Sequence, residues 1–84
     1  MTSLDKALEI VQQAIEEDTN HNYAEAYTLY HSSLDYFILA LKYEKNERAR
    51  RLIRSKTEEY LNRAEKLQDH LASQEEERRR AAVT

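Results

Sequence analysis

A chain of 84 residues without a single glycine or proline has few ways to fold. Hairpin turns and tight loops lean on those two residues for positive or fixed backbone dihedrals. Their absence leaves helices joined by short polar links. With 35% charged and 40% apolar residues, the chain suits amphipathic helices around one modest core. It is too small for the two-layer scaffolds that usually hold a catalytic cleft. There is no cysteine, which removes disulfides, thiolate nucleophiles and thiolate metal sites and suits the cytosol. No apolar run approaches the roughly 18–20 residues that span a bilayer, and the N-terminus lacks the apolar stretch of a signal peptide.

Apolar spacing places three helices. Helix 1 is expected from about Ser3 to Glu17, with Thr2 or Ser3 as N-cap and a ridge of Leu4, Leu8, Val11 and Ile15 flanked by Ala7, Ile10 and Ala14. Its apolar arc of roughly 160° exceeds the ~100° that one core requires, which leaves an edge for a partner. Asp18 to His21 forms a link, and Asn22 with Glu25 three residues on predicts a capped start for helix 2. Helix 2, from Tyr23 to about Glu44, carries Tyr23, Tyr27, Tyr30, Leu34, Phe37 and Leu41 at alternating steps of four and three. Beside that stripe run the small residues Ala26, Ser33 and Ala40, then Leu29, Tyr36 and Tyr43 at intervals of seven. Apolar on more than one side, helix 2 should be the central element. After Lys45 and Asn46, helix 3 repeats the pattern with Ile53, Thr57, Tyr60, Ala64, Leu67 and Leu71 and is expected to end near Ser73.

Short links force antiparallel neighbours, so the expected architecture is all-α: an up-down-up three-helix bundle over residues 1–73, its longest helix incompletely covered. Residues 74–84 hold Glu75 to Glu77 and then Arg78 to Arg80, with no core residue. They either extend helix 3 by pairing at i,i+3 or form a charged linker toward a further domain, and the linker is the preferred reading.

The net charge of −3 hides blocks. Residues 1–41 hold seven acids against one base, residues 42–56 seven bases against Glu44 and Glu47, and residues 57–77 seven acids against Arg63 and Lys66. Such alternation belongs to solvated helix surfaces with internal ion pairs. Catalytic signals are missing. His21, His31 and His70 have no His or Cys at metal-ligand spacing, Ser32 and Ser33 have no base and orienter, and Glu16, Glu17, Asp18, Glu58 and Glu59 read as surface carboxylates. The expectation is therefore no enzyme, no cofactor and no metal in this chain alone. Most tyrosines fall on core stripes, leaving Tyr36 and Tyr43 as candidates for a recognition surface.

Leu61 is the residue that does not fit a plain bundle. It lies roughly 85° from the centre of the helix 3 stripe, beside Glu65 and Gln68, where a helix that only buried its core would carry a charge. An apolar side chain on the shoulder of a packed helix marks the lip of a groove that receives something else.

The wording of helices 2 and 3 carries a resemblance. Tyr23-Ala24-Glu25-Ala26-Tyr27-Thr28-Leu29-Tyr30, Ala40-Leu41-Lys42-Tyr43-Glu44, Leu52-Ile53-Arg54-Ser55-Lys56 and Tyr60-Leu61-Asn62-Arg63-Ala64-Glu65-Lys66-Leu67 resemble the microtubule-interacting and trafficking (MIT) domain. They are most similar to the MIT domains at the N-termini of the vacuolar protein sorting AAA ATPases that disassemble ESCRT-III polymers. The likeness runs without gaps over residues 4–73. It implies binding to C-terminal tails of ESCRT-III subunits in two modes: a short amphipathic helix between helices 2 and 3, and an extended, proline-containing segment between helices 1 and 3. Under that implication Leu61, Glu65, Gln68, Asn62, Tyr36 and Ala40 line the first groove, with Glu65 meeting a partner arginine, and Val11, Ile15 and Leu8 line the second. An aspartate often follows the groove leucine in this family; Asn62 stands there and carries no charge. The likeness further implies a monomeric domain in an oligomeric parent, cytoplasmic and held at endosomal membranes through its partners, with no nucleic acid and no direct membrane insertion.

Two other classes compete. The heptad stripes could form an intermolecular coiled coil, although stripes of two to three heptads broken by two links suit an intramolecular bundle better. The basic segment 42–56 could bind nucleic acid or anionic lipid, a reading weakened by Glu44 and Glu47 and by the overall acidity.

Overall fold

A computed structural model describes residues 2–83. Three helices, α1 (Ser3–Thr19), α2 (Tyr23–Tyr43) and α3 (Glu47–Val83), follow one another through links of three residues. Links that short turn each helix back along its predecessor, giving the expected up-down-up bundle.

Four helix ends are closed, each by a different device. Thr2 caps α1 through a reciprocal pair: its hydroxyl accepts from the Asp5 N–H at 3.1 Å, and its own N–H donates to the Asp5 carboxylate at 3.3 Å. At the other end of α1, His21 adopts a φ of 63°. That left-handed conformation normally falls to glycine and costs another residue about 1 kcal/mol or more; a chain without glycine must place a side chain there. The His21 and Asn22 N–H groups meanwhile donate to the carbonyls of Asp18 and Glu17 at 3.0 and 2.9 Å, which satisfies the end of α1. The expected capping box between Asn22 and Glu25 does not form. The Asn22 side-chain amide turns back to donate to Glu17 Oε2 at 2.9 Å, leaving no side-chain cap on α2. Asn46 caps α3 by accepting from the Ala49 N–H at 3.0 Å. Arg50 then reaches back and donates one Nη1 to the carbonyls of Leu41 and Glu44, at 2.7 and 2.9 Å, satisfying the end of α2.

The core shows why α2 is central. Toward α1 the seam is built from small residues: Ala7, Ala14, Ala26 and Ser33 are wholly buried, and side chains this small let two backbones approach closely. The buried Ser33 hydroxyl donates to the Tyr30 carbonyl at 2.7 Å, so nothing polar is orphaned there. Toward α3 the seam is aromatic. Tyr60 stacks against Tyr30 and Phe37, ring centres 6.1 and 5.7 Å apart with 22° between planes. Ile53, Ala64 and Leu67 complete that side, and Val11 joins from α1. Rings hold α3 farther out than alanines hold α1. No Cα of α1 comes within 8 Å of a Cα of α3.

Helix α3 departs from expectation. It continues ten residues past Ser73 to Val83, and from Ala72 onward every described side chain is exposed. The acidic and basic triplets pair along the helix, Arg78 and Arg79 with Glu75 and Arg80 with Glu76, at 3.4–3.9 Å. Glu placed N-terminal to Arg at these spacings also agrees with the helix dipole. The overhang gives the molecule its long axis, 57 Å against 18 and 16 Å.

Candidate functional site

The direction of each shoulder follows from three anchors between helices. Tyr23 of α2 meets His70 of α3 edge to face at 5.1 Å, Phe37 meets Tyr60, and Arg50 meets Leu41. On the α1 side, Arg63 of α3 grips Asp18 of α1. At ~100° per residue, Arg63 and Leu61 lie on opposite flanks of the α3 core stripe. Arg63 points to α1, so Leu61 borders the groove between α2 and α3 that faces away from α1. Leu61 is 43% exposed, with Glu65, Gln68 and Asn62 exposed around it. By the same construction, the α2 side of this groove is formed by Tyr27, His31 and Ile38. Ile38 is 58% exposed, and the rings of Tyr27 and His31 are 5.9 Å apart.

Two sequence assignments therefore land elsewhere. Ala40 lines a cavity of about 330 Å³ with Thr2, Ser3, Leu4, Leu39, Tyr43, Glu44 and Ile53, at the foot of α1. Tyr36, half-buried one turn away, is on that same flank. Both lie on the flank of α2 toward α1, whereas Tyr27, His31 and Ile38 stand on the flank toward Leu61.

The second groove separates α1 from α3. Leu8 and Ile15, 46% and 41% exposed, project along it from α1, whereas Val11 between them is 3% exposed and is a core residue. Val11 thus supports the floor without offering surface. The wide spacing of α1 and α3 is what leaves Leu8 and Ile15 uncovered.

One polar cluster closes the upper end of this groove. Arg63 donates through Nε and Nη2 to the two carboxylate oxygens of Asp18, at 2.8 and 2.7 Å, and the buried Tyr30 hydroxyl donates to the same carboxylate at 3.0 Å. Three helices meet on one carboxylate. The Arg63 hydrogen bonds, with a smaller contribution from Tyr30, outweigh desolvation and hold the Asp18 pKa below its ordinary value. Burial, and then the bond to Asp18, push the Tyr30 hydroxyl up to about 12. Arg63 also lines a cavity of about 230 Å³ with Tyr23, Lys66, Leu67 and His70, but within the cluster every member is a partner of another: it ties helices together.

The histidines sit on tyrosines. His21 and His70 flank the Tyr23 ring at 5.6 and 5.1 Å, and His31 lies against Tyr27. Among the described residues no three His, Cys, Asp or Glu side chains gather as metal ligands would, and no helix is long and apolar enough to cross a membrane.

A three-helix bundle with apolar side chains left uncovered on two separate grooves is a protein-interaction module. The chain belongs to the MIT family: residues 4–69 match the model of the MIT (microtubule interacting and transport) domain. It is 57% identical over 68 residues to vacuolar protein sorting-associated protein 4 of Dictyostelium discoideum, an alignment covering 81% of this chain and 15% of that protein. It is 48% identical over 63 residues to SUPPRESSOR OF K(+) TRANSPORT GROWTH DEFECT 1 of Arabidopsis thaliana, covering 75% and 14%. Serine/threonine-protein kinase ULK3 of Xenopus laevis is 42% identical over 65 residues, covering 77% and 14%. The chain thus spans about one seventh of the relatives it matches. A sorting protein and a kinase are both similar to this chain over most of its length.

Proposed function

We propose that this chain recruits a larger protein to ESCRT-III polymers by binding the C-terminal tails of their subunits. A short amphipathic helix lies in the α2/α3 groove, its apolar side chains against Leu61, Ile38 and Tyr27 and its arginine at Glu65. An extended, proline-containing segment lies along Leu8 and Ile15 between α1 and α3. The observation that carries the reading is the exposure of Leu61 on the flank of α3 turned away from α1, since a leucine left in water at the edge of a groove is an anchor point for an apolar ligand face. The resemblance to vacuolar protein sorting ATPases supplies the ligand class. On the same ground the charged segment 74–84 leads toward an AAA ATPase module, and the protein acts at endosomal membranes through its partners.

Leu61→Asp tests the reading. The substitution puts a charge in an apolar groove and should weaken binding of a helical tail peptide by about 2 kcal/mol or more, while costing the fold less than about 1 kcal/mol. Calorimetric titration and thermal melting measure the two effects. Loss of the cooperative melt would make Leu61 a core residue and end the groove reading.

A further inference from the structure

The end of the bundle where α2 turns into α3 has a chemistry that neither groove uses. Lys42, Lys45, Arg48 and Arg51 are exposed there within about two helical turns of the link, and none of the four has an ion-pair partner among the described residues. The two acids in the segment are not their partners: Glu44 accepts the Asn46 N–H at 3.0 Å, and Glu47 sits in the first turn of α3, where the helix dipole favours it. Arg50 is likewise occupied by the α2 carbonyls. Next to Lys42 and Arg51 in the chain stand two large side chains in water, Tyr43 at 69% and Leu52 at 63% exposure, the Tyr43 ring with the Lys42 ammonium 5.7 Å from its centre.

We propose that this end of the bundle rests on an anionic lipid bilayer. Lysines and arginines near an acidic leaflet each gain from its surface potential, and Tyr and Leu beside them gain by entering the headgroup region. Composition selects lipid over nucleic acid. Two apolar side chains stand in water beside the cations, as a headgroup region would accept, and the end lacks a row of aromatic rings on which nucleic-acid bases would stack. The contact is peripheral, and it is distinct from tail binding because Leu61, Leu8 and Ile15 lie higher on the bundle.

Co-sedimentation of the 84-residue chain with vesicles tests it. Vesicles of about seven parts phosphatidylcholine to three parts phosphatidylserine should bind the chain at least tenfold better than phosphatidylcholine alone, at about 0.05 M NaCl but not at about 0.5 M. The double change Arg48→Glu and Arg51→Glu should remove at least nine-tenths of that binding, and so should Lys42→Glu with Lys45→Glu, a pair at the helix end where loss of folding is not expected. Tyr43→Ser with Leu52→Ser should weaken binding severalfold without altering its salt dependence. Leu61→Asp should bind vesicles as the parent does, which separates this surface from the groove. Equal binding to neutral vesicles, full binding by both charge-reversed proteins, or tighter binding to a single-stranded oligonucleotide than to the acidic vesicles would overturn the proposal.

Discussion

Asp18 is the residue on which all three helices converge, and its bonds make stability depend on pH at both extremes. Its folded pKa lies below the ordinary value of 3.8, so the unfolded chain binds the proton first as pH falls. The stabilisation is complete above about pH 4 and is lost below it. Tyr30 works from the other side. With its hydroxyl at about 12 when folded against 10.0 otherwise, the unfolded state loses its proton first, and stability falls as pH rises from 10 toward 12. Tyr30→Phe should cost about 1 kcal/mol at neutral pH, the worth of a hydrogen bond to a charged acceptor less the gain of an apolar ring. Denaturant titrations from pH 9 to 11 should then show a shallower decline for Tyr30→Phe than for the parent; parallel declines would mean that Tyr30 titrates freely. Glu65 belongs at the same scale. As an exposed carboxylate beside Leu61, it should lend a charge-assisted bond to a ligand arginine. Glu65→Ala should weaken helical-tail binding by about 1 kcal/mol at low salt and by less at high salt, and unchanged binding at low salt would remove Glu65 from the groove.

At the scale of the element, α3 is two structures in one helix. Up to Leu71 it is held by packing; from Ala72 to Val83 it is held by propensity and exposed ion pairs, each worth a few tenths of a kcal/mol. Deleting residues 74–84 should therefore shift the thermal midpoint by no more than about 2 °C while reducing the helical circular-dichroism signal. A fall beyond about 5 °C would show that the overhang packs on something. The element scale also shows what the sequence could and could not reveal. The stripes of α1, α2 and α3 were readable because burial repeats at 3.6 residues, and Leu61 was readable because it broke that repeat. The overhang was undervalued because a segment without core residues leaves no periodic signal, although its Glu and Arg spacing fits a helix. Tyr36 and Ala40 were set on the wrong flank of α2 for a different reason. An up-down-up bundle can turn to either hand, and the hand decides which flank of the middle helix meets α1. Periodicity is blind to that choice. A usable signal existed in the small residues, since Ala26 and Ser33 on α2 answer Ala7 and Ala14 on α1, as two helices in close approach require.

For the whole molecule the consequence of the hand is two uncovered apolar grooves on different sides. Leu8 and Ile15 face one and Leu61 the other, so Ile15→Asp should weaken an extended, proline-containing peptide and spare a helical one, with Leu61→Asp doing the reverse. Titrating both peptides against both variants measures this; equal loss of both ligands in either variant would mean one shared site or a damaged fold. A groove this short engages three or four anchors and must order a flexible tail, so the affinity of each should be micromolar to tens of micromolar, about −6 to −8 kcal/mol. A nanomolar constant for a single tail would contradict that account. The gap between α1 and α3 has one more consequence. Their backbones stay apart, and the ion pair that joins them among the described residues is Asp18 with Arg63 at one end, so below that tie the space along Leu8 and Ile15 is not closed by a seam between the two helices. An extended segment laid along Leu8 and Ile15 therefore need not part a packed α1–α3 seam to reach them.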